Sequence, residues 1–309
     1  MIVFIGLMKF SDELLKTYLT ICEQGSFSGA AVTLHKSQPA VSLQIASLEK
    51  QTGLRFFNRS ERPFRLTEAG SIFLQFAREV INKSNEVDRS LRELAIGTAG
   101  EVRIGASTSV GAYILSRMVS DIKSKHPNLT IFLLTQPRER IYDSVRDAEV
   151  DFAFVLTDHP PSGLVAHFLR DEPLFFVAAP GYPLSKSRNI GPRQVNEAKF
   201  VMGPKTSEYT AMVNGILQRS RVSTFSVAMR ISNFEGIKEA VRTGAGVCLL
   251  PLCAVKRELQ DKSLVKIQVQ RVHLKAKLML IERHRSPTTP TVETVKKFLT
   301  SRISEGYSQ

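Results

Sequence analysis

Apolar residues recur every three or four positions in three short segments of residues 11–53, a spacing that predicts three helices. The first helix begins at Ser11, ends at Gly25 and carries an apolar stripe of Leu14, Leu15, Tyr18, Leu19 and Cys22. The second begins at Ser26, a good N-cap, and buries Ala30, Ala31 and Leu34. Ser37 caps the third helix, whose first turn tolerates Pro39 and whose buried stripe is Val41, Ile45 and Leu48.

On the opposite side of the third helix the side chains are mostly short, and one of them is charged. These residues are Pro39, Ser42, Leu43, Ala46 and Lys50. A helix face turned to water normally carries charge, whereas a helix in a DNA major groove needs short side chains and hydrogen-bonding groups. Gln38 and Ser42 supply polar groups, while Leu43 can contact thymine methyl groups. The pattern favours a helix-turn-helix that reads double-stranded DNA; the alternative is a small helical domain without a DNA function.

The segment after Gly53 predicts a β-hairpin, because two short apolar stretches, 54–57 and 63–67, flank a polar tip. Three arginines at or beside the tip, Arg59, Arg62 and Arg65, can contact phosphates or a narrow minor groove. The hairpin is therefore interpreted as the wing of a winged helix-turn-helix.

Residues 25–70 resemble the N-terminal signature of LysR-type transcriptional regulators. The resemblance rests on Ser26-Phe27, Ala30-Ala31, Leu34, residues 37–42, Ile45, Leu48-Glu49, Gly53, Phe57, Arg59, Leu66-Thr67 and Ala69-Gly70. Together with the pattern above, it predicts a DNA-binding set of Ser26, Ser28, Lys36, Ser37, Gln38, Pro39, Ser42, Leu43, Arg59, Arg62 and Arg65. The resemblance extends in weaker form over residues 8–305, and members of the family usually begin at the position of Met8.

A long helix is predicted from Thr67 to Ala95, because apolar residues recur at roughly heptad spacing among charged ones. The repeating residues are Phe73, Phe76, Val80, Val87, Leu91 and Leu94. One narrow apolar stripe on a charged helix is typical of a two-stranded coiled coil; the alternative is a connector packed on its own domain. The family resemblance implies a homodimer through residues 67–95, and a homotetramer through a second interface of the C-terminal domains.

Beyond the hinge at 97–100, the pattern changes to alternating strands and helices. Strands 102–106, 129–134 and 151–156 with helices 109–126 and 138–149 predict a parallel βαβαβ unit. Further strands are expected at 164–169, 173–179, 200–202, 227–231, 247–250 and 275–282, with helices at 234–243 and 291–302. The chain is expected to pass between two lobes near 158–163 and again near 264–270.

The predicted fold class is α/β, with an N-terminal winged helix-turn-helix (1–66), a long linker helix (67–96) and a two-lobed effector domain (97–309). Lobe I comprises 100–160 and 267–309, and lobe II comprises 161–266. This is the layout of periplasmic solute-binding proteins, which the LysR-type effector domain shares. Here the resemblance rests on residues 171–174, 180–184 and 241–251, and Ala148 stands where members often have glycine.

Ligands of two-lobed α/β domains bind in the cleft at the carboxyl ends of the strands. The predicted effector-binding residues are Ser107, Thr108, Ser109, Gln136, Gly203, Lys205, Thr206, Ser232 and Asn233. Lys205 is the one cation expected in the cleft, which favours a small carboxylate or a phosphate-bearing metabolite as effector. The alternative is a hydroxyl-rich helix cap without a ligand, since Ser and Thr cap helices routinely.

Composition and charge constrain the function less than the motifs do. The net charge of +13 suits an acidic partner such as nucleic acid, but residues 1–66 hold eight Lys/Arg and five Asp/Glu, so most of the excess lies elsewhere. The three cysteines favour a reducing compartment without disulfides. The apolar start, 1–7, is too short for a membrane span and lacks a basic region for a secretory signal.

Two other classes of protein are alternatives. A transport-type solute receptor would need a secretory signal and would not carry a winged helix. An enzyme would need a catalytic set, yet the six histidines show no clustered carboxylates or metal-ligand spacing, and residues 105–111 lack the G-x-S-x-G elbow. We therefore expect a cytoplasmic, non-enzymatic transcription regulator with no cofactor, no membrane partner and a small-molecule effector.

Overall fold

The computed structural model describes residues 10–58, 65–96, 100–157, 159, 161–187, 190–220, 222, 225–270, 272, 274–284 and 288–306. The chain divides into two units, Met1–Gly97 and Thr98–Gln309, and each is described by itself. Arg59 and Arg62 of the predicted wing lie outside the described residues.

The first unit begins with three helices, α1 (Asp12–Gln24), α2 (Phe27–Thr33) and α3 (Gln38–Thr52). The predicted caps are confirmed, because the hydroxyls of Ser11, Ser26 and Ser37 each accept a hydrogen bond from the backbone N–H three residues ahead. A short hairpin follows, with β1 (Phe57–Asn58) antiparallel to β2 (Arg65–Leu66). The long helix α4 (Glu68–Ile96) completes the unit.

An aromatic cluster centred on Tyr18 forms the core of the first unit. The Tyr18 ring packs against Phe56, Phe57 and Phe73 with centroids 4.8–5.8 Å apart, and its hydroxyl donates to the Gly70 carbonyl at 2.9 Å. Phe73 is therefore a core residue rather than part of a free apolar stripe on α4. The prediction for Phe73 is wrong because the first turns of α4 pack on α1.

The exposed apolar residues of α4 run beside those that enter this core. Phe73, Ala77 and Ile81 are buried, whereas Ile72, Phe76, Val80, Val87 and Leu91 are 37–67% exposed. One apolar stripe of α4 is thus buried within the unit, whereas a second, neighbouring stripe of its described residues stays exposed.

The second unit is built on a seven-stranded sheet. Its strands are β3 (Glu101–Ser107), β4 (Thr130–Gln136), β5 (Phe152–Thr157), β6 (Val165–Ala178), β9 (Cys248–Pro251), β10 (Val265–Ile267) and β11 (Leu274–Glu282). The order is β10-β6-β11-β5-β3-β4, and β9 pairs with β6. The predicted parallel unit is confirmed, since β3 runs parallel to both β4 and β5. β7 (Lys199–Met202) and β8 (Ser226–Arg230) form a separate parallel pair.

The strands predicted at 164–169 and 173–179 are one continuous strand, β6, and the predicted break between them is wrong. Glu172, in the middle of this strand, is 1% exposed. Its carboxylate forms an ion pair with Arg170 at 2.7 Å and accepts from the Cys253 backbone N–H at 2.7 Å. Because these contacts offset part of the cost of burying the charge, the strand continues through Glu172 without interruption.

Helices cover both faces of the sheet. The predicted helix 109–126 consists of α5 (Thr108–Val110), a π-helical turn (Gly111–Leu115) and α6 (Ser116–Lys125). The other predicted helices are α7 (Arg138–Arg146), α10 (Phe234–Arg242) and α12 (Pro290–Ser304). Three were not predicted: α8 (Pro192–Asn196), α9 (Glu208–Arg219) and α11 (Leu252–Gln260).

The π-helical turn lies against β4. A Cβ atom on Gly111 would lie 2.1 Å from a methyl carbon of Thr135, so only glycine allows helix and strand to approach this closely. A single cluster of buried apolar residues extends from Ile104 and Phe154 on the sheet to Phe200 on β7.

Candidate functional sites

The burial of α3 divides it into the two predicted sides. Val41, Ile45 and Leu48 are fully buried, whereas Leu43 is 70% exposed. Gln38 and Pro39 are also exposed, and Ser42 is half-buried. An exposed leucine between polar residues, at the start of a helix anchored by its other side, is compatible with a base-reading helix, whose N-terminal residues contact base edges.

Three serines surround this helix start. Ser28 is exposed on α2, while the hydroxyls of Ser26 and Ser37 accept from the N–H groups of Gly29 at 3.0 Å and Ala40 at 3.3 Å. Each capping hydroxyl keeps its own proton, which can be donated to a phosphate oxygen. Capping and phosphate contact are therefore compatible in these two residues.

Lys36 is not a free cation. Its ammonium donates to Glu13 at 2.6 Å and to Gln44 at 3.3 Å, and Thr17 also donates to Gln44. The hydrogen bond from Lys36 is the main reason why the pKa of Glu13 lies below its usual value. This network ties the turn between α2 and α3 to α1, and Lys36 stays a predicted DNA-binding residue. Sequence reasoning missed Glu13, Thr17 and Gln44.

The predicted wing is present as the β1–β2 hairpin. Asn58 pairs with Arg65 and Phe57 with Leu66, which buries Phe57 and leaves Arg65 exposed. The side of the hairpin away from the core therefore presents a cationic residue.

In the second unit, a cavity of about 490 Å³ lies at the carboxyl ends of β3 and β5. It is lined by six of the nine predicted effector-binding residues: Ser107, Thr108, Ser109, Thr206, Ser232 and Asn233. The side chain of Ser107 accepts a hydrogen bond from the Leu156 N–H on the neighbouring strand β5, and that of Asn233 accepts from the Gly236 N–H. The predicted convergence of strand ends and opposing loops is observed.

Gln136, Gly203 and Lys205 do not line this cavity. Lys205 is exposed in a turn, and the Gly203 carbonyl accepts from Arg230 at 2.8 Å. Among the described residues, the cation on the cavity wall is Arg138, which begins α7. The prediction that Lys205 supplies the charge is therefore wrong, because residue spacing located the loop but not the direction of its side chain.

Two hydrogen bonds cross the cavity between its walls. The Tyr113 hydroxyl donates to Glu235 at 2.7 Å, and the Glu139 backbone N–H donates to Glu208 at 3.1 Å. Burial alone would raise the pKa of Glu235, but hydrogen bonds from Lys238 and Tyr113 outweigh it and lower that pKa. Glu235 is thus held ionised opposite the hydroxyl-rich wall.

Beneath Glu235 lies a buried lysine. Lys238 is 3% exposed and binds Glu235 at 2.8 Å and Glu258 at 2.6 Å. Its ammonium also lies 5.2 Å from the centre of the Tyr113 ring. A buried charge with several partners resists rearrangement, so this network fixes the floor on one side of the cavity.

A second cavity, of about 560 Å³, lies between α6 and α12 and contains none of the predicted residues. Within the part of the chain that the structure describes, no group of three His, Cys, Asp or Glu side chains could hold a metal ion. In the same residues, no helix combines the length and apolar character needed to cross a bilayer.

Two family models match the chain. The bacterial regulatory helix-turn-helix protein, lysR family, matches residues 13–71, and the LysR substrate binding domain matches residues 95–304. A curated relative, the probable RuBisCO transcriptional regulator of Cyanidium caldarium, is 30% identical over 293 residues, covering 92% of each chain.

Solved structures share the fold. Full-length CbnR complexed with its target DNA superposes with a TM-score of 0.66 at 17% identity, covering 95% of this chain and 99% of that one. The Synechocystis CcmR regulatory domain in complex with 2-PG gives 0.60 at 20% identity, covering 68% and 99%. The chain therefore belongs to the LysR family of transcriptional regulators, with a helix-turn-helix DNA-binding domain followed by an effector-binding domain.

Proposed function

We propose that this regulator reads operator DNA with the exposed side of α3 and that a small acidic metabolite in the 490 Å³ cavity modulates the response. The base-reading residues are Gln38, Pro39, Ser42 and Leu43. The single observation that carries the proposal is the division of α3 into a side that is fully buried and a side on which Leu43 is 70% exposed. Ser26, Ser28 and Ser37, with Arg59, Arg62 and Arg65 of the wing, contact the backbone or minor groove.

The proposed organisation follows from the family. The helix-turn-helix and wing occupy residues 1–66, the linker helix 67–96 and the effector domain 97–309, with lobe I at 100–160 and 267–309 and lobe II at 161–266. The exposed stripe of α4 joins two chains, and a second interface of the effector domains gives a homotetramer. The protein acts in the cytoplasm, where its DNA lies, and turns over no substrate.

The DNA-reading part is tested on operators selected from random DNA by the full-length protein. A good base contact contributes about 1–3 kcal/mol of discrimination, so Gln38→Ala and Ser42→Ala relax the sequence preference in gel shifts. Arg65→Ala weakens binding to every operator and lowers the salt slope by about one unit. The assignment of α3 is wrong if the Gln38 and Ser42 variants keep the parent's preference.

The effector part is tested with the double variant Thr108→Val and Ser109→Ala. Neither hydroxyl has a hydrogen-bond partner within the described residues, so their loss removes polar groups from the cavity without breaking the fold. Operator binding survives and the metabolite response is lost. Ser124→Ala, on α6 and outside the cavity, is the matched control; loss of both properties, or of neither, contradicts the assignment.

A further inference from the structure

The walls of the effector cavity carry opposite charges. Among the described residues that line it, Arg138 alone is cationic, and the carboxylates are Glu208 and Glu235. We propose that the effector is a bipolar molecule, with an acidic group at Arg138 and a hydrogen-bond donor, an amine or a hydroxyl, at Glu235. This inference rests on the proposed effector cavity and adds the chemical class of its ligand.

Arg138 is held in place but is not saturated. Its side chain is 17% exposed; one terminal nitrogen donates to Thr157 at 3.3 Å, and another lies 3.5 Å from Glu139. Its Nε is buried, lies 3.5 Å from the Glu139 carboxylate in an ion pair and makes no hydrogen bond. A guanidinium has five N–H donors in a planar fork that matches a carboxylate or phosphate. An acidic ligand would satisfy the donors that the protein leaves unused.

The hydroxyls beside Arg138 extend the same preference. Thr108 and Ser109 stand on the same wall without hydrogen-bond partners in the described chain. Hydroxyls can donate to an anion that Arg138 has already attracted. The acidic end of the ligand therefore belongs on this side.

Glu235 supplies the acceptor for the donor end of the ligand. It is positioned by Tyr113 and Lys238, whereas Glu208 accepts from the N–H of Glu139, next to Arg138, at 3.1 Å and does not define this end. The Glu235 carboxylate has two oxygens and about four acceptor positions, so its two bonds leave acceptor capacity at the cavity that it lines. A second acidic group there would meet like charge, whereas an amine or hydroxyl would be bound.

Aromatic rings line the cavity near Glu235. Phe234 packs edge-on against Tyr209 with centroids 4.7 Å apart and lies parallel to Tyr113 at 6.3 Å. All three rings line the cavity. This apolar surface fits a hydrocarbon or aromatic segment that joins the acid to the donor.

The experiment uses two matched sets of probes and the full-length protein. One set is pentanoate, 5-aminopentanoate and glutarate; the other is phenylacetate, 4-hydroxyphenylacetate and 4-carboxyphenylacetate. Each set varies only the end opposite the acid. Thermal unfolding with millimolar probe measures stabilisation, and titration calorimetry measures Kd. The bipolar member of each set should bind most tightly, raising Tm by roughly 5–10 °C when its concentration is a hundredfold above Kd.

Two variants locate the ends. Arg138→Gln should weaken binding of every acid by about 10-fold to 100-fold, as expected for a charged hydrogen bond, whereas Arg140→Gln, exposed on the same helix, should not. Glu235→Gln should remove the advantage of the bipolar probe over the diacid, and Glu239→Gln one turn away should retain it. The Tm of each variant without probe confirms that it is folded.

The outcomes separate this inference from the proposal on which it rests. If the diacid binds as well as the bipolar probe and Arg138→Gln weakens both, the cavity is the effector site and the bipolar class is wrong. If none of the six probes stabilises the parent protein in an Arg138-dependent way, the bipolar inference is overturned. The effector site itself then stands or falls on the Thr108→Val and Ser109→Ala double variant.

Discussion

At the scale of the residue, Ala148 occupies a backbone conformation that favours glycine. It has φ of 53°, in the left-handed region where a Cβ atom costs roughly 1–2 kcal/mol. We predict that Ala148→Gly stabilises the protein by about 0.5–1 kcal/mol, because the relief of strain exceeds the added entropy of the unfolded chain. Chemical denaturation of the full-length protein measures the change.

The control for this prediction is the same substitution in a regular helix. Ala211 is exposed in α9, where Gly is about 1 kcal/mol less favourable than Ala. Ala211→Gly should therefore destabilise the protein. Equal signs for the two variants would show that the backbone at Ala148 is not strained.

The three cysteines give a second prediction at this scale. Burial raises the pKa of Cys22 to about 11; it also raises the pKa of Cys248 and, together with Glu172, that of Cys253. At pH 8 the thiolate fraction of Cys22 is then more than about a hundredfold below that of an unfolded cysteine. Native protein should react with a disulfide reagent correspondingly slowly and unfolded protein quickly. Fast labelling of one native thiol would contradict a purely structural role.

Arg138 shows what the sequence could not predict at single residues, namely which cationic side chain lines the cavity. The strand ends and their serines were located correctly, because parallel topology brings the carboxyl ends of strands together. The direction of a side chain depends on the turn that carries it. Lys205 and Arg138 both follow strands, yet only Arg138 begins a helix with its side chain 17% exposed at the cavity.

At the scale of the element, apolar periodicity correctly predicts which side chains are buried in helices that have one buried side. The stripe Val41, Ile45 and Leu48 is fully buried as predicted. Periodicity is less reliable where contacts with residues distant in sequence decide which side chains are buried or where a strand ends. Phe73 shares a heptad pattern with Val80, but only Phe73 meets the aromatic core, and β6 continues through Glu172 because Arg170 neutralises it.

The uncovered stripe of α4 yields a prediction about assembly. Val80 is 37% exposed and lies between Phe76 at 39% and Val87 at 50%. Val80→Asp should place an unpaired charge in a coiled-coil interface and halve the mass of the assembly in sedimentation. Asn85→Asp adds the same charge on another side of the helix and should leave the mass unchanged. An unchanged mass for Val80→Asp would move the dimer contact elsewhere.

At the scale of the whole molecule, the effector unit is held in one arrangement by contacts between its walls. The bonds from Tyr113 to Glu235 and from the Glu139 N–H to Glu208 both cross the cavity. Neither could be predicted from the sequence, since the partners are 122 and 69 residues apart. Topology was predictable from the order of strands and helices, whereas contacts between distant loops depend on the completed packing.

We predict that these two bonds favour a closed form of the cavity over an open one. A ligand shifts such an equilibrium only by its differential affinity for the two forms. Removing one of the bonds should shift the same equilibrium without ligand. Tyr113→Phe deletes a hydrogen bond to an ionised carboxylate that is 68% exposed, so we expect a loss of about 1 kcal/mol, a roughly fivefold shift toward the open form.

Hydrogen exchange of the ligand-free protein measures that shift directly. In Tyr113→Phe, amides in α7 and α10 next to the cavity should exchange roughly fivefold faster if local opening limits their exchange, while core amides of β3 and β5 stay unchanged. Tyr182→Phe removes a half-buried hydroxyl away from the cavity and serves as control. If α7 and α10 exchange as in the parent, the Tyr113–Glu235 bond does not hold the walls together. Faster exchange confined to α10 would mean that the bond orders only Glu235, because opening of the cavity must expose both sides.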